Sequence, residues 1–133
     1  MHRFRLSAVC FLVLATLALA ACSSAKPEAT VQAFYEAAAK GDVEKATAQV
    51  SFADVPANGM VQAKGKVQMI VGEMQSRIDA NDGLDKIEVI ESSIDDEGET
   101  ARVQVRVVFD NGKDLTETHH MVRDDGKWKI RLR

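Results

Sequence analysis

The apolar positions of this chain fall into three regimes. From Leu6 to Ala21, 16 residues pass without a charge. From Pro27 to Ile78, apolar residues return at i, i+3, i+4 and i+7, which is the period of a helix with one buried face. Beyond Leu84 the period drops to two, the signature of strands with one buried face.

The helical stretch breaks into three pieces. Val31, Phe34, Tyr35 and Ala38 share one face of a first helix, with Pro27 at its first position. Gly41 suits a left-handed end to that helix, and Asp42 suits the N-cap of the next. In that second piece Val43, Ala46, Thr47 and Val50 lie on one side, and "SFADVPANG" follows as a loop broken by Pro56 and Gly59. Met60, Ala63, Val67, Ile70, Val71, Met74 and Ile78 then keep helical spacing, weakened by Gly65 and Gly72. Four strands follow: "DKIEVIES", "ARVQVRVVF", "LTETHHMV" and "KWKIRLR". The turn signals "DDEGE", "DNG" and "DDG" separate them by hairpin-short distances, so the sheet is expected to be antiparallel. Three helices before a four-stranded meander make an α+β domain, with the helices packed on one face of the sheet.

The first regime is not part of that domain. Arg3 and Arg5 precede the apolar run, and small residues end it. Sixteen positions fall short of the roughly 20 that a membrane-crossing helix needs, so residues 1–21 read as a secretory signal. Their removal leaves residues 22–133, enough for one core. It also takes away Arg3 and Arg5, leaving 15 basic against 20 acidic residues and a net charge of about −5, which argues against a nucleic-acid partner. Cys10 leaves as well. Cys22 is then solitary, and no internal disulfide can form.

"LAAC", Leu19 to Cys22, resembles the bacterial lipobox: a leucine, two small residues and a cysteine. The resemblance implies that the Cys22 sulfur receives a diacylglyceryl group and that cleavage makes Cys22 the first residue. Two or three acyl chains, at about 0.8 kcal/mol per buried methylene, hold a domain on a membrane. Residues 22–26 form the lipidated N-terminus and tether. "SSAK" alone separates Cys22 from Pro27, a mean reach of roughly 11 Å, so the 27–133 domain is expected close to the lipid. Ser23 follows the cysteine where an aspartate would signal inner-membrane retention in enteric bacteria. The expected place is therefore the cell envelope, on an outer membrane facing the periplasm where the cell has one.

"VQAFYEAAAKGDVEKA" and the closing "MVRDDGKWKIRLR" resemble the start and end of another family. They are similar to the small bacterial lipoproteins with a DUF4878-type domain, in the nuclear transport factor 2-like (cystatin-like) superfamily. The resemblance spans nearly all of 27–133. It implies a strongly curved sheet wrapped around a long helix, a cone with an apolar hollow, and no particular activity.

Phe34, Tyr35, Met74, Phe109, His120 and Trp128 are the candidate lining of that hollow. Enzymes of the superfamily place an acid–base pair there, and Tyr35, His119 and His120 are the residues here that could form one. Neighbours on a strand point to opposite faces, so only one histidine points inward. A three-residue loop over "DDG" sets Val122 opposite Trp128 and turns His120 inward, on the face of Ile130. The family pattern turns Met121 and His119 inward instead. We take His120 as the inward residue. The inward positions of the second and fourth strands hold no acid, and a general base without an orienting carboxylate makes weak catalysis. The expectation is therefore a non-catalytic domain that binds a small apolar ligand or an envelope protein. A carboxylate within reach of either histidine would favour an enzyme. No metal or cofactor is expected, because His119 and His120 diverge and Glu117 shares a face only with His119.

One further surface stands out. Lys127, Lys129, Arg131 and Arg133 alternate along the last strand, and Arg102 and Arg106 lie on the polar face of the second. On a tethered domain such a face could meet anionic headgroups, although exposed strands commonly alternate this way. Of all these readings the lipid site makes the sharpest claim. Cys22→Ser is expected to leave the protein uncleaved or soluble, checked by membrane fractionation and intact mass. Unchanged processing and membrane association would refute it.

Overall fold

The computed structural model describes residues 26–133. The leader and Cys22 lie outside the described residues. Helix α1 (Pro27–Ala39) begins with proline at its first position, as the sequence suggests. Helix α2 (Val43–Thr47) is a single short turn and a half, capped by the Asp42 carboxylate, which accepts the Lys45 N–H at 3.0 Å. Helix α3 (Met60–Ala80) follows a turn of 3-10 helix at Ala57–Gly59. Strand β1 (Val50–Ser51) lies between α2 and that turn, and β2 (Leu84–Ile94), β3 (Thr100–Phe109), β4 (Asp114–Asp124) and β5 (Lys127–Arg131) complete the sheet.

The sheet order is β1-β5-β4-β3-β2. This corrects the expected four-stranded antiparallel sheet: there are five strands, and β1 runs parallel to β5, with Val50 opposite Ile130. Two residues are too few to carry a period, so no pattern could announce β1. It forms because the Ile130 N–H donates to Gln49 O at 2.8 Å and Val50 is buried.

The core follows the alternation on β3. Ala101, Val103, Val105, Val107 and Phe109 are all buried, and Val31, Phe34, Tyr35 and Ala38 of α1 and Val67, Val71, Met74 and Ile78 of α3 belong to the same cluster. Each fully buried valine, isoleucine, methionine or phenylalanine among them contributes about 1.5–3 kcal/mol. The buried Thr30 hydroxyl donates to Trp128 O at 3.0 Å and fixes the start of α1 to β5. Opposite the end of α3, Gly83 accepts the Asp110 N–H at 2.9 Å and has φ +119°. A Cβ there would stand 2.5 Å from the Asp110 carboxylate, so the close approach of α3 to the β3–β4 turn requires glycine.

The β4–β5 hairpin overturns the expected register. Asp124 pairs with Lys127, so the loop holds two residues and not three. Asp125 and Gly126 both have positive φ, 53° and 74°, which is the type I′ geometry that two-residue hairpins favour and Asp-Gly readily adopts. Met121 therefore faces Ile130 and Arg123 faces Trp128, its guanidinium 4.7 Å from the ring centroid. Across β3, Val103 pairs with His119 and Arg102 with His120. His119 is the inward histidine and His120 shares the face of Arg102, contrary to the three-residue reading. A slip of one residue exchanges the faces of a strand, and here the turn length decided it.

Nothing lies within 4 Å of where a Gly126 Cβ would stand, so the cost of a side chain there is conformational. Gly126→Ala is expected to lose about 1 kcal/mol through the left-handed backbone, while Asp125→Asn is expected to be neutral or slightly stabilising. Urea denaturation of both variants checks this.

Candidate functional site

Strand β5 is shorter than its neighbour, and the site sits where it stops. Only Met121–Asp124 of β4 pair with β5. Beside the rest of β4 a cavity of about 340 Å³ opens between that strand, the tail of β5 and α3. Its apolar floor includes Phe34, Val67, Ile70, Met74 and Ile130. Its charged rim carries Lys66, Glu73, Arg77, Arg131 and Arg133.

A polar cluster closes one wall. Tyr35 is fully buried, and its hydroxyl meets Glu117 Oε2 and, at 2.9 Å, His119 Nε2. The rings of Tyr35 and His119 meet edge to face, with centroids 5.6 Å apart. Arg77 Nη1 of α3 lies 3.8 Å from Glu117 Oε1, and His119 Nε2 lies 3.8 Å from Glu117 Oε2. The arrangement follows from strand and helix periods: Glu117 and His119 are two apart on β4 and share its inward face, and α1 lowers Tyr35 onto them. With one proton to give, the Tyr35 hydroxyl donates to the carboxylate and accepts from an Nε2–H of His119. Burial, reinforced by the bond to Glu117, pushes the Tyr35 pKa far above the ordinary tyrosine value, so the hydroxyl stays neutral. Burial also lowers the His119 pKa, against a partial opposing pull from Glu117. At neutral pH this is a neutral imidazole bonded to a neutral phenol beside a carboxylate.

The residues expected to line a hollow divide. Phe34 and Met74 do line the cavity, and Tyr35 backs it through Glu117 and His119. His120 lines it too, from the strand edge, although its side chain belongs to the outward face. Phe109 and Trp128 are not among its lining residues; both are buried in the core. Glu117 and Arg77 were not expected at the site. The pairing of Glu117 with His119 was legible as an i, i+2 spacing, once the inward histidine was known.

The basic residues of the sheet are largely engaged. Arg106 is held by Glu88 at 2.5 Å and approaches Asp114 at 3.9 Å. Lys86 and Arg106 together hold the Glu88 carboxyl below its usual pKa. Arg131 pairs with Asp54 at 3.1 Å, and the Lys129 ammonium donates to Ala48 O. Arg102 stands opposite His120, whose pKa is lowered by desolvation and then by Arg133, Arg102 and Arg131. Lys127 is exposed beside the hairpin. Among the described residues no group of three or more His, Cys, Asp and Glu could hold a metal, and no helix is long and apolar enough to cross a membrane.

The lowered pKa of His119 fixes the sign of a pH effect. Below the ordinary value of 6.5 the unfolded chain binds a proton that the folded chain resists. The stability linked to this group is complete above that pH and is lost as the pH falls. The urea midpoint is expected to drop between pH 7 and pH 5, and to drop less in His119→Gln. Equal slopes for the two proteins would remove His119 as the source.

With this geometry in hand, comparison with known proteins places the fold. A Campylobacter jejuni protein described as an NTF2-like transpeptidase superposes with a TM-score of 0.74 at 19% identity, over 82% of this chain and 100% of that one. A protein of unknown function with a cystatin-like fold, from Methylobium petroleophilum PM1, superposes with a TM-score of 0.51 at 16% identity, over 79% and 72%. No curated protein matches. At these identities the likeness concerns the fold: an α+β arrangement similar to the NTF2-like and cystatin-like folds, carried on a five-stranded mixed sheet. The sequence match reaches further, because residues 20–131 fit the domain of unknown function DUF4878, and the chain belongs to that family.

Proposed function

We propose that this chain is a lipid-anchored protein of the cell envelope whose domain binds, without catalysis, a molecule that carries an apolar group. The cavity where β5 stops carries this reading. Its volume of about 340 Å³ lies in the range of ligand sites, and it joins an apolar floor to a few polar groups at one wall. The solitary Cys22 after an apolar leader supports the anchor, on an outer membrane facing the periplasm where the cell has one.

An acid–base enzyme is the second reading, and one observation favours it: Glu117 is an inward carboxylate 3.8 Å from His119. The hydrogen bonds weigh against it. Glu117 Oε2 is spent on Tyr35 and its other oxygen faces Arg77, while His119 gives its Nε2–H to Tyr35 and keeps Nδ1 alone as a base. Of the cavity-lining residues Thr118 alone carries an alcohol, and no thiol is among them. The transpeptidase description of the Campylobacter jejuni protein is therefore not carried over. The cluster is read as a wall that holds α1 against β4.

The purified full-length protein is expected to bind the neutral fluorophore N-phenyl-1-naphthylamine with a rise in emission. Ile70→Glu, which puts a charge into the partly buried floor, is expected to weaken that binding at least tenfold, about 1.4 kcal/mol. Emission that stays at the free-dye level with the wild type, or an unchanged affinity in Ile70→Glu, would sink the binding reading.

A further inference from the structure

Four consecutive residues of β4, Glu117 to His120, line the cavity. Neighbours on a strand point to opposite faces. A cavity that touches four in a row therefore meets the strand along its edge. The ladder agrees, since residues 114–120 of β4 pair with β3 on one side and with no strand on the other. The direction of the backbone groups can also be read. The Arg123 N–H donates to Glu99 O, toward β3, and the Ile130 N–H donates to Gln49 O, away from β4. Odd-numbered residues of β4 thus turn their N–H and C=O toward β3, and even-numbered ones turn theirs the other way. Thr118 presents both groups to the space that β5 has left.

We infer that the ligand of this cavity is an extended peptide segment, laid along the open edge of β4 in the place a longer β5 would fill. The inference rests on the binding reading above and names its ligand class. An open strand edge offers donors and acceptors at strand spacing, and an extended polypeptide matches them while an acyl chain has nothing to pair with them. The site continues the existing β4–β5 ladder. The floor under it, with Ile70 and Met74, takes an apolar side chain, and rim charges of both signs (Lys66 and Arg77 with Glu73) suit a peptide's mixed side chains. The two open edges also differ. The register of β2 shifts between Val89 and Glu91, the kind of bulge by which proteins discourage pairing. The open run of β4 keeps regular register against β3 throughout and has neither proline nor lysine from Leu115 to His120.

The test is amide hydrogen exchange on the full-length protein with two probes. One is a seven-residue peptide of alternating valine and threonine; the other is the same peptide N-methylated at every residue, which has no backbone N–H on either edge and cannot pair. The first is expected to slow exchange at the open-edge amides of Thr116, Thr118 and His120 at least fivefold and the second to leave it unchanged. Thr118→Pro removes an N–H that faces no strand, so it is expected to lose the peptide effect while exchange in α1, α3 and β3 stays as in the wild type. Equal protection by both peptides, or none by either while the fluorophore binds, overturns the peptide assignment and leaves a small apolar ligand. Loss of fluorophore binding in the wild type overturns the binding reading itself.

Discussion

Two residues in left-handed conformation, Asp125 and Gly126, set the register on which the rest of this site depends. A hairpin of two residues puts Asp124 against Lys127 and, through the unbroken ladder, Met121 against Ile130. From that point the period of two leaves no freedom: His119 and Glu117 must face the helices, and His120 must face away. With one more residue in the loop the two histidines would exchange places. Tyr35 would then meet Thr118 or His120, whose nearest neighbours on that face, Thr116 and Val122, carry no carboxylate. The chemistry of the wall is decided by backbone angles some distance from it.

The wall shows how a buried polar group becomes tolerable. A fully buried tyrosine hydroxyl without a partner would cost about 1–3 kcal/mol. Here it meets an acceptor and an imidazole at once, and Arg77 stands on the far side of the carboxylate. Both groups on β4 need Tyr35 as much as it needs them. The trio thereby locks α1 to the middle of the sheet, while Thr30 locks its first turn to β5. A helix pinned at two places along one face, among valines that are themselves fully buried, has little room to slide.

Much of the fold was legible in the sequence because its signals are long. The faces of α1 and α3 and the alternation of β3 each extend over ten or more residues, and all three appear where the periods place them. What could not be read was short or shared between distant segments. Strand β1 is two residues long and owes its existence to Ile130. The site depended on one turn length, and "DDG" allows a two- or a three-residue loop with equal ease. Glu117 was in plain view beside His119, but its meaning came from Tyr35, 82 residues earlier in the chain. The end of the β4–β5 ladder, which opens the cavity, has no sequence mark: "KIRLR" alternates to its last residue while the pairing with β4 stops at Ile130.

The bond from Thr30 to Trp128 also orients the domain. It seats the first turn of α1 beside the β4–β5 hairpin, whereas the cavity lies at the other end of β5, around Ile130 to Arg133. At roughly 3.4 Å per strand residue the two are separated by a little over 10 Å. Under the proposed anchor at Cys22, the hairpin would be the end of the domain nearer the lipid and the cavity the end farther from it. The body of the domain, and not the short tether, would then stand between the lipid and the opening, which would face the aqueous space.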